Sequence, residues 1–259
     1  MTSRELTRLR KRYAGAFPSP PDRRDYKFVS RPLSGLKSVS LSNYRGKILN
    51  QGSLNSCTGH GTAGMLNMTM RRITGYNLEF NPFWIWDKAR RLRGMGSLNE
   101  GAFVRDVFKV ATKTGVIENN AWKPKNIRTV YKEKPPLIDP QDRIKFSNYY
   151  SINIHRDFDD IKQDIFYCLG EERLPVGVTI PIHPSFTRYN GESDIFKTPT
   201  KHEIAIGWHW MFAESADVEG VTLVNSWGKN WGKQGLVKVS WEYVDKYIAE
   251  AWTFGKELP

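Results

Sequence analysis

Four side chains on two separate segments of the chain have the types and spacing that thiol chemistry requires. Gln51 precedes Cys57 by six positions, and His209 precedes Asn225 by sixteen positions. A thiolate can attack a carbonyl carbon while an imidazole accepts and later returns the proton. An amide can fix the tautomer of that imidazole, and a glutamine N–H together with a backbone N–H can hold the developing oxyanion. The sequence therefore predicts a nucleophile, a base, an orienting amide and an oxyanion donor, in the order Cys57, His209, Asn225 and Gln51.

A helix is expected to carry the nucleophile. Leu66, Met70 and Ile73 follow Cys57 at helical spacing, which places Cys57 at the N-terminus of that helix. The positive end of the helix dipole favours a thiolate at this position. Three glycines, Gly59, Gly61 and Gly64, weaken the helix by about 1 kcal/mol each relative to alanine. Close packing against a neighbouring strand would explain them.

Further helices are predicted on both sides of the middle of the chain. Asn81 is a suitable cap for a helix in which Pro82 takes the first turn and which runs to Arg91. A third helix is expected from Asn99 or Glu100 to Gly115, because apolar residues form one stripe along it. A short helix is expected over about residues 159–169, with Cys168 on its apolar face.

Strands are predicted to dominate the last third of the chain and to carry the imidazole. The segment around His209 alternates between polar and apolar residues, and Asn225 ends the next predicted strand, so a cross-strand hydrogen bond between them is natural. Helices followed by strands are typical of an α+β fold with segregated halves. The predicted strands are 174–182, 203–213, 220–225, 235–241 and 251–254.

Several segments of the sequence resemble papain-like cysteine proteases. Gln51 to Cys57, Gln-Gly-Ser-Leu-Asn-Ser-Cys, is similar to the nucleophile segment of that family. The run that begins Asn225-Ser-Trp-Gly and contains a second Trp-Gly step is similar to its asparagine segment. Asn99-Glu-Gly-Ala-Phe-Val-Arg-Asp and Pro21-Asp-Arg-Arg-Asp-Tyr resemble segments of bacterial and viral members. The resemblance extends from about residue 20 to Phe254 and depends on the agreement of these segments in order and spacing.

The resemblance implies a fold, an activity and a role for one more residue. The fold would be papain-like and two-lobed, with a helical lobe, a β-barrel-like antiparallel sheet lobe and an active-site cleft between them. The activity would be that of an endopeptidase acting on proteins or peptides through a thiolate nucleophile and an acyl-enzyme. Trp227 would shield the hydrogen bond between His209 and Asn225 from water.

The expected organisation is a short extension followed by one peptidase domain. Residues 1–30 are interpreted as a basic, Pro-rich N-terminal extension, and its prolines predict an extended conformation. Residues 31–259 would form the domain, with a mainly helical lobe over about 31–140 and a mainly β lobe over about 141–259. The extension is far too short to resemble the long inhibitory prosegment of secreted relatives, so any latency is expected to come from elsewhere.

Composition limits the classes of protein that the chain can represent. With 259 residues, 39% of them hydrophobic and 13% aromatic, the chain can bury a sizeable core. The N-terminus has charge without an apolar stretch, and no apolar run approaches the roughly 20 residues of a membrane helix. The two cysteines are not expected to form a disulfide, and Leu54 stands where secreted relatives typically place a cystine partner. These observations favour a cytoplasmic or particle-associated protein without a secretion signal.

The net charge of +12 is the feature that bears on partners other than substrate. Such a charge attracts polyanions or acidic proteins. A solvated basic surface without a dedicated ligand is the simpler interpretation, because no nucleic-acid-binding signature accompanies the charge. The sequence does not indicate an oligomeric state. The charge is concentrated in the N-terminal arm and over residues 88–93 and 123–134.

Two alternatives to a peptidase remain open. His209 stands between Trp208 and Trp210, where the family prefers a small residue on the C-terminal side, so an indole could narrow the cleft. A catalytically inactive papain-like module that binds a partner is therefore one alternative. A thiol amidase or transpeptidase acting on isopeptide or cell-wall bonds is another, because the same four residues would serve it.

No cofactor is expected, and metal binding is not favoured. Cys57 and His60 form a Cys-x-x-His pair, but the two further ligands that zinc needs are absent at suitable spacing.

Overall fold

The structure is a computed structural model that describes residues 3–31, 35, 37–152 and 157–257. In this part of the chain, helices and strands of two or three residues precede residue 147, and longer strands with three further helices among them follow. Short 3₁₀ turns connect several of these elements. The helices are α1 (Ser3–Tyr13), α2 (Cys57–Thr74), α3 (Pro82–Arg91), α4 (Val104–Lys109), α5 (Phe158–Gly170), α6 (Pro184–Thr187) and α7 (Trp241–Tyr247).

The strands of the described residues join into one sheet that is almost entirely antiparallel. Its main path is β3-β1-β6-β5-β9-β4, with β7 added to β6, β8 added to β7, and β2 paired with the far end of β6. Only β1 and β3 pair in parallel among the strands named here. The strands are β1 (Ala16–Phe17), β2 (Ser38–Ser40), β3 (Ala102–Phe103), β4 (Tyr149–Ile152), β5 (Val176–Ile182), β6 (Gly207–Asp217), β7 (Gly220–Val224), β8 (Leu236–Ser240) and β9 (Glu250–Phe254).

Helix α2 lies directly against strand β6, and its glycines make this contact possible. A Cβ atom on Gly61 would lie 2.6 Å from Cδ1 of Trp210, and one on Gly64 would lie 2.6 Å from Cε1 of Phe212. On the other side, a Cβ atom on Gly59 would lie 2.3 Å from the carbonyl oxygen of Pro82, in α3. The prediction that close packing explains the three glycines is confirmed, with the difference that Gly59 packs against a helix.

The helices predicted to begin at Cys57 and after Asn81 are confirmed. Helix α2 begins at Cys57 and ends before Gly75, which has the positive φ of 75° that suits a helix C-terminus. The Asn81 side chain accepts hydrogen bonds from the backbone N–H groups of Phe83 and Trp84, at 3.1 Å and 3.0 Å. A good cap therefore compensates for the unsatisfied N–H groups at the start of α3.

The third predicted helix begins later than expected. The segment from Asn99 does not start a helix, because Ala102 and Phe103 form strand β3 beside β1. Helix α4 then begins at Val104 and continues as a π-helical turn over Val110–Thr114. The apolar stripe was recognised correctly, but the pairing with a distant strand, which no local pattern reveals, moved the helix start.

The N-terminal arm also differs from the expectation. Residues Ser3–Tyr13 form helix α1, and Ala16–Phe17 form a strand, so the arm is not simply extended before its prolines. Leu6, Leu9 and Tyr13 are half-buried and pack against the core. Downstream of the arm, α2, α3 and α4 lie within residues 31–140 and β4 to β9 lie within residues 141–259.

No helix in the described ranges, with their gaps at residues 32–34, 36 and 153–156, has the length and apolarity that crossing a membrane would require.

Candidate active site

Cys57 is the first residue of α2, and its sulfur is fully enclosed. The exposed fraction of Cys57 is 0%. Burial raises the pKa of its thiol to about 12, although neighbouring backbone N–H groups, that of Trp210 foremost, act in the opposite direction. In the enclosed site the thiol is therefore protonated at neutral pH.

The imidazole of His209 is held by Asn225 across neighbouring strands. The Nε2 atom of His209 lies 2.7 Å from Oδ1 of Asn225. The same Oδ1 atom accepts a hydrogen bond from the Ser226 backbone N–H at 2.7 Å, which identifies it as the oxygen of the amide. His209 consequently carries its proton on Nε2 and keeps the Nδ1 lone pair free, since an amide oxygen can only accept.

The free nitrogen of His209 lies on the same part of β6 that contacts the sulfur. Trp210, whose N–H faces the Cys57 sulfur, directly follows His209. Among the described residues, Nδ1 of His209 makes no hydrogen bond, even though it is buried. Burial lowers the pKa of His209 to about 4 against the opposing effect of Asn225. The structure thus brings a neutral thiol and a neutral imidazole into one enclosed region without a hydrogen bond between them.

Trp227 lies on the imidazole. Its ring centroid is 4.5 Å from that of His209, with an angle of 33° between the ring planes. Its other neighbours include Phe186, at 5.9 Å between centroids. An indole in this position keeps water away from the bond between His209 and Asn225, which strengthens that bond.

The two tryptophans beside His209 have different locations. Trp210 is fully buried between α2 and β5, where Gly61 and Gly177 leave space for its indole. Trp208 is 37% exposed, and its backbone pairs with Ala16. The indole of Trp210 therefore belongs to the core and does not enter the cleft, contrary to the concern that the sequence raised.

Gln51 is tied to the segment that carries the orienting amide. Its Oε1 atom accepts a hydrogen bond from the Ser226 hydroxyl at 2.7 Å, and its backbone N–H donates to the Ser226 carbonyl at 2.9 Å. Its Nε2 atom donates to the Leu54 carbonyl at 2.8 Å. An amide nitrogen has two N–H groups, so one donor of Gln51 remains for an oxyanion.

Ser226 was not singled out from the sequence, although it links two of the predicted residues. Through Gln51 it positions the oxyanion donor, and through its backbone N–H it fixes the amide of Asn225. The only signal available was its place between Asn225 and Trp227. A hydroxyl in that position has no recognisable pattern of its own.

The N-terminal arm crosses this site, which the sequence did not indicate. The Gly15 N–H donates to the Trp208 carbonyl at 3.1 Å, and the Gly15 carbonyl accepts from the Ala102 N–H at 3.2 Å. The ring of Tyr13 lies 4.5 Å from that of Trp227. Nonlocal strand pairing brings the arm against the segment that carries the nucleophile.

His60 and Cys168 have structural positions. The Nδ1 atom of His60 donates to the Ser56 carbonyl at 2.9 Å, and its ring packs edge-on against Phe83. Cys168 is fully buried in α5, as predicted. Within residues 3–31, 35, 37–152 and 157–257, no group of three or more His, Cys, Asp or Glu side chains could hold a metal ion.

The chain is similar over nearly its whole length to known proteins. No protein-family model matches it. It is 25% identical to an uncharacterized peptidase C1-like protein of Acanthamoeba polyphaga mimivirus, over 94% of this chain and 86% of that protein.

Solved structures of cysteine proteases share its fold. Xylellain, a cysteine protease from Xylella fastidiosa, superposes with a TM-score of 0.82 at 22% identity, covering 95% of this chain and 96% of that chain. A Carica candamarcensis cysteine protease in complex with E-64 gives a TM-score of 0.64 at 16% identity, covering 86% and 99%. The helices and the largely antiparallel sheet of this chain match the fold of these cysteine proteases. The chain thus has the papain-like fold and is similar over nearly its whole length to a peptidase C1-like protein.

Proposed function

We propose that this chain is a cysteine peptidase that hydrolyses peptide bonds through a thiolate nucleophile and an acyl-enzyme intermediate. The observation that carries the proposal is the orientation of His209. Its Nε2 atom is held by Asn225 at 2.7 Å, and its Nδ1 lone pair is left free beside the strand segment that contacts the Cys57 sulfur. This is the tautomer that a base for the thiol must have.

The first half of the proposed reaction forms the acyl-enzyme. His209 takes the Cys57 proton, and the thiolate attacks the carbonyl carbon of the peptide bond. The backbone N–H of Cys57 and the free N–H of Gln51 hold the negative oxygen, with the positive end of α2 adding to this stabilisation. The intermediate collapses when protonated His209 donates its proton to the leaving amine.

The second half releases the acid. A water molecule attacks the thioester while His209 accepts its proton, and the same N–H groups hold the second oxyanion. The thiolate leaves and regains the proton. Asn225 orients His209 in both halves and does not itself react. The proton that Cys57 loses in the first half leaves on the amine, and the proton that His209 takes from water in the second half replaces it.

The inactive-module alternative loses the observation that motivated it. Its basis was the crowding of His209 by two tryptophans, but Trp210 is buried in the core against Gly61 and Gly177. The fold is shared with a protease that has been crystallised with E-64, which supports a peptide-like ligand for the present site.

The test is a comparison of cleavage products from a peptide library. The wild-type chain, Cys57→Ala and Cys168→Ala are incubated with the library, and new termini are identified by mass spectrometry. The same substitutions are also made together with Gly15→Val. A side chain on Gly15 would collide with the Asn55 backbone and so move the N-terminal arm away from the site. Cleavage is expected to disappear with Cys57→Ala and to persist with Cys168→Ala.

Two results would overturn the proposal. Cleavage that survives Cys57→Ala would assign the activity to another group or to a contaminant. A folded Gly15→Val chain that hydrolyses cell-wall fragments but no peptide in the library would assign the site to an amidase instead.

A further inference from the structure

A small cavity lies beside Asn225, and neither Cys57 nor His209 lines it. The space in it that is open to the centre of a water molecule is about 20 Å³. By this measure one water molecule needs about 10–15 Å³, together with two to four polar partners. The cavity therefore has the size for a single water molecule, and its polar walls decide whether one is held there. These walls include His60, Asn67, Asn225 and Ser226.

Asn225 supplies a donor that no protein group uses. Its Oδ1 atom is turned towards Nε2 of His209 and the backbone N–H of Ser226, so its amide nitrogen points the other way. Among the described residues, this Nδ2 atom is buried without a hydrogen-bond partner. A buried N–H group without a partner is destabilising, and many such groups bond to an ordered water molecule. Because Asn225 lines the cavity, a water molecule there can accept this hydrogen bond.

His60 supplies the matching acceptor from α2. Its Nδ1 atom lies 2.9 Å from the Ser56 carbonyl oxygen, which can only accept, so the proton of the ring is on Nδ1. Burial lowers the pKa of His60 to about 4, and the ring is therefore neutral at neutral pH. Nε2 consequently keeps its lone pair. The ring is held in place by Phe83, against which it packs edge-on at 5.2 Å between centroids.

Asn67 adds a second donor to the cavity. It lies two turns after His60, on the same face of α2. Its Oδ1 atom accepts a hydrogen bond from the Phe80 backbone N–H at 2.8 Å, which leaves its amide nitrogen as the group available to the cavity. With Asn225 and His60 this makes three polar partners, the usual number for a buried water molecule.

The combination of donors and acceptor favours water over an ion. A cation in the cavity would meet the N–H groups of Asn225 and Asn67, and an anion would meet the lone pair of His60. Arg45 and Lys47 also line the cavity, but each already forms an ion pair with a carboxylate. A neutral molecule that both donates and accepts is the one that satisfies all of these groups.

We infer that one water molecule in this cavity accepts a hydrogen bond from Nδ2 of Asn225 and donates one to Nε2 of His60. His60 is thereby a positioning residue, which acts on His209 through the water molecule and Asn225. The inference rests on the proposed function for its kinetic readout, whereas the bound water is a separate property of the fold. The chain itself holds the oxygen end of the Asn225 amide, and the water holds its nitrogen end. With both ends held, the amide keeps the imidazole of His209 aligned in both halves of the reaction.

The primary experiment detects the water in the full chain. Nuclear and rotating-frame Overhauser effects are measured between water and the side-chain N–H protons of Asn225 in an isotope-labelled sample, and their comparison excludes proton exchange. A bound water gives a nuclear Overhauser effect of the sign opposite to that of surface water. We expect this effect in wild type and its loss in His60→Phe, which keeps an aromatic ring without the lone pair. His202→Phe, an exposed change, is the control and should keep the effect.

The substitution His60→Phe leaves no carbonyl unpaired. The Ser56 carbonyl also accepts a hydrogen bond from the backbone N–H of His60, at 3.0 Å, and this bond does not depend on the side chain. Loss of the Overhauser effect in the folded variant therefore reports the loss of the acceptor at the cavity.

Two amide variants separate positioning from a purely structural role of His60. In His60→Gln the side-chain oxygen can reach the place of Nε2, whereas the shorter side chain of His60→Asn can replace only Nδ1. In combination with Gly15→Val, His60→Asn and His60→Phe should each lower kcat by about three- to tenfold with KM unchanged, which is the factor that one net hydrogen bond represents. His60→Gln should keep the kcat of Gly15→Val. A role limited to the Ser56 carbonyl would give the reverse order, with His60→Asn active and His60→Gln impaired, and would overturn the inference.

The outcomes separate this inference from the proposed function. If wild type shows no effect of a bound water at Asn225, or if the effect persists unchanged in folded His60→Phe, the bridge does not exist, whatever the peptidase assay shows. If the effect is present in wild type and in His60→Gln and absent in His60→Asn, but Gly15→Val cleaves no peptide, the bridge stands and the proposed peptidase function fails. These amide variants and the wild type decide the question even where His60→Phe does not fold.

Discussion

The Oδ1 atom of Asn225 accepts hydrogen bonds from Nε2 of His209 and from the backbone N–H of Ser226, each at 2.7 Å. These two donors fix the amide orientation and, through it, the tautomer of the imidazole. The Nδ1 atom of His209 is buried without a hydrogen-bond partner, and the backbone of the next residue, Trp210, acts on the Cys57 sulfur. The amide of Asn225 thus determines that Nδ1 is the nitrogen of His209 with a free lone pair.

Replacing Asn225 with alanine is expected to lower turnover without abolishing it. The imidazole would lose its acceptor and could adopt the other tautomer, but the nucleophile and the base would remain. We expect kcat to fall by about 10²- to 10³-fold, within the range that a positioned acid–base group contributes. Peptide hydrolysis by Gly15→Val/Asn225→Ala, compared with Gly15→Val alone, measures the effect. Turnover equal to that of Gly15→Val would remove Asn225 from the site.

Replacing Ser226 with alanine is expected to affect the oxyanion donor. The hydroxyl donates to Oε1 of Gln51 at 2.7 Å, so its loss frees the Gln51 side chain to rotate. We expect kcat to fall by about tenfold with a smaller change in KM, because an oxyanion contact strengthens in the transition state. Gln51→Ala should give a fall at least as large. If the double variant Ser226→Ala/Gln51→Ala lowers kcat by the product of the two separate factors, the two residues do not act through one contact.

Replacing Gly61 with alanine is expected to destabilise the protein despite the higher helix propensity of alanine. Propensity alone would favour alanine by about 1 kcal/mol. The new methyl group would lie 2.6 Å from Cδ1 of Trp210, which cannot move in the packed core, and such overpacking costs about 1–3 kcal/mol.

Urea unfolding of the wild type and of Gly61→Ala gives the two free energies of unfolding. Their difference shows whether helix propensity or overpacking has the larger effect. The double variant Gly61→Ala/Trp210→Phe should lose less stability than the sum of its two single variants, since the smaller ring leaves room for the methyl group. A Gly61→Ala chain more stable than wild type would show that α2 and β6 are less closely packed than the structure indicates.

Acid is expected to destabilise the fold through two buried histidines. Burial depresses the pKa of both His60 and His209 to about 4, against an ordinary value of 6.5. Between pH 6.5 and 4 the unfolded chain therefore binds protons on these histidines that the folded chain does not bind. The free energy of unfolding that is present above about pH 6.5 is consequently lost as the pH falls towards 4. Each histidine contributes roughly 2–3 kcal/mol to this loss.

The free energy of unfolding at pH 7.5, 5.5 and 4.5 measures this dependence. His60→Asn keeps a donor for the Ser56 carbonyl and removes one titrating group, so its stability should fall less steeply between pH 6.5 and 4. His202→Asn replaces an exposed histidine and should follow the wild type. Parallel curves for wild type and His60→Asn would contradict the assignment of the acid sensitivity to His60.

Local patterns were sufficient to predict the elements that carry the candidate site. The helix that begins at Cys57, the cap at Asn81 and the strand containing His209 were all recognised from periodicity, capping residues and alternation. These signals work because each reflects contacts within a few residues or along one buried face. The side chains expected to meet were identified by type and spacing together.

Elements that depend on distant partners escaped prediction. Strands β1 and β3 have two residues each, which is too short for an alternation to be visible, and each forms only because the other and β6 are adjacent. Their pairing moved the start of α4 to Val104 and brought Gly15 onto Cys57. The same nonlocal contact explains why the role of the N-terminal arm could not be inferred from its composition.

The most direct test of the central claim is covalent modification by a peptide epoxide that requires a thiolate activated by a base. With Gly15→Val, the account predicts one adduct per chain, located on Cys57 by mass spectrometry. The adduct should be absent in Gly15→Val/Cys57→Ala, retained in Gly15→Val/Cys168→Ala and formed far more slowly in Gly15→Val/His209→Ala. Modification of Cys57 at the rate of a free thiol, unaffected by the loss of His209, would contradict the account.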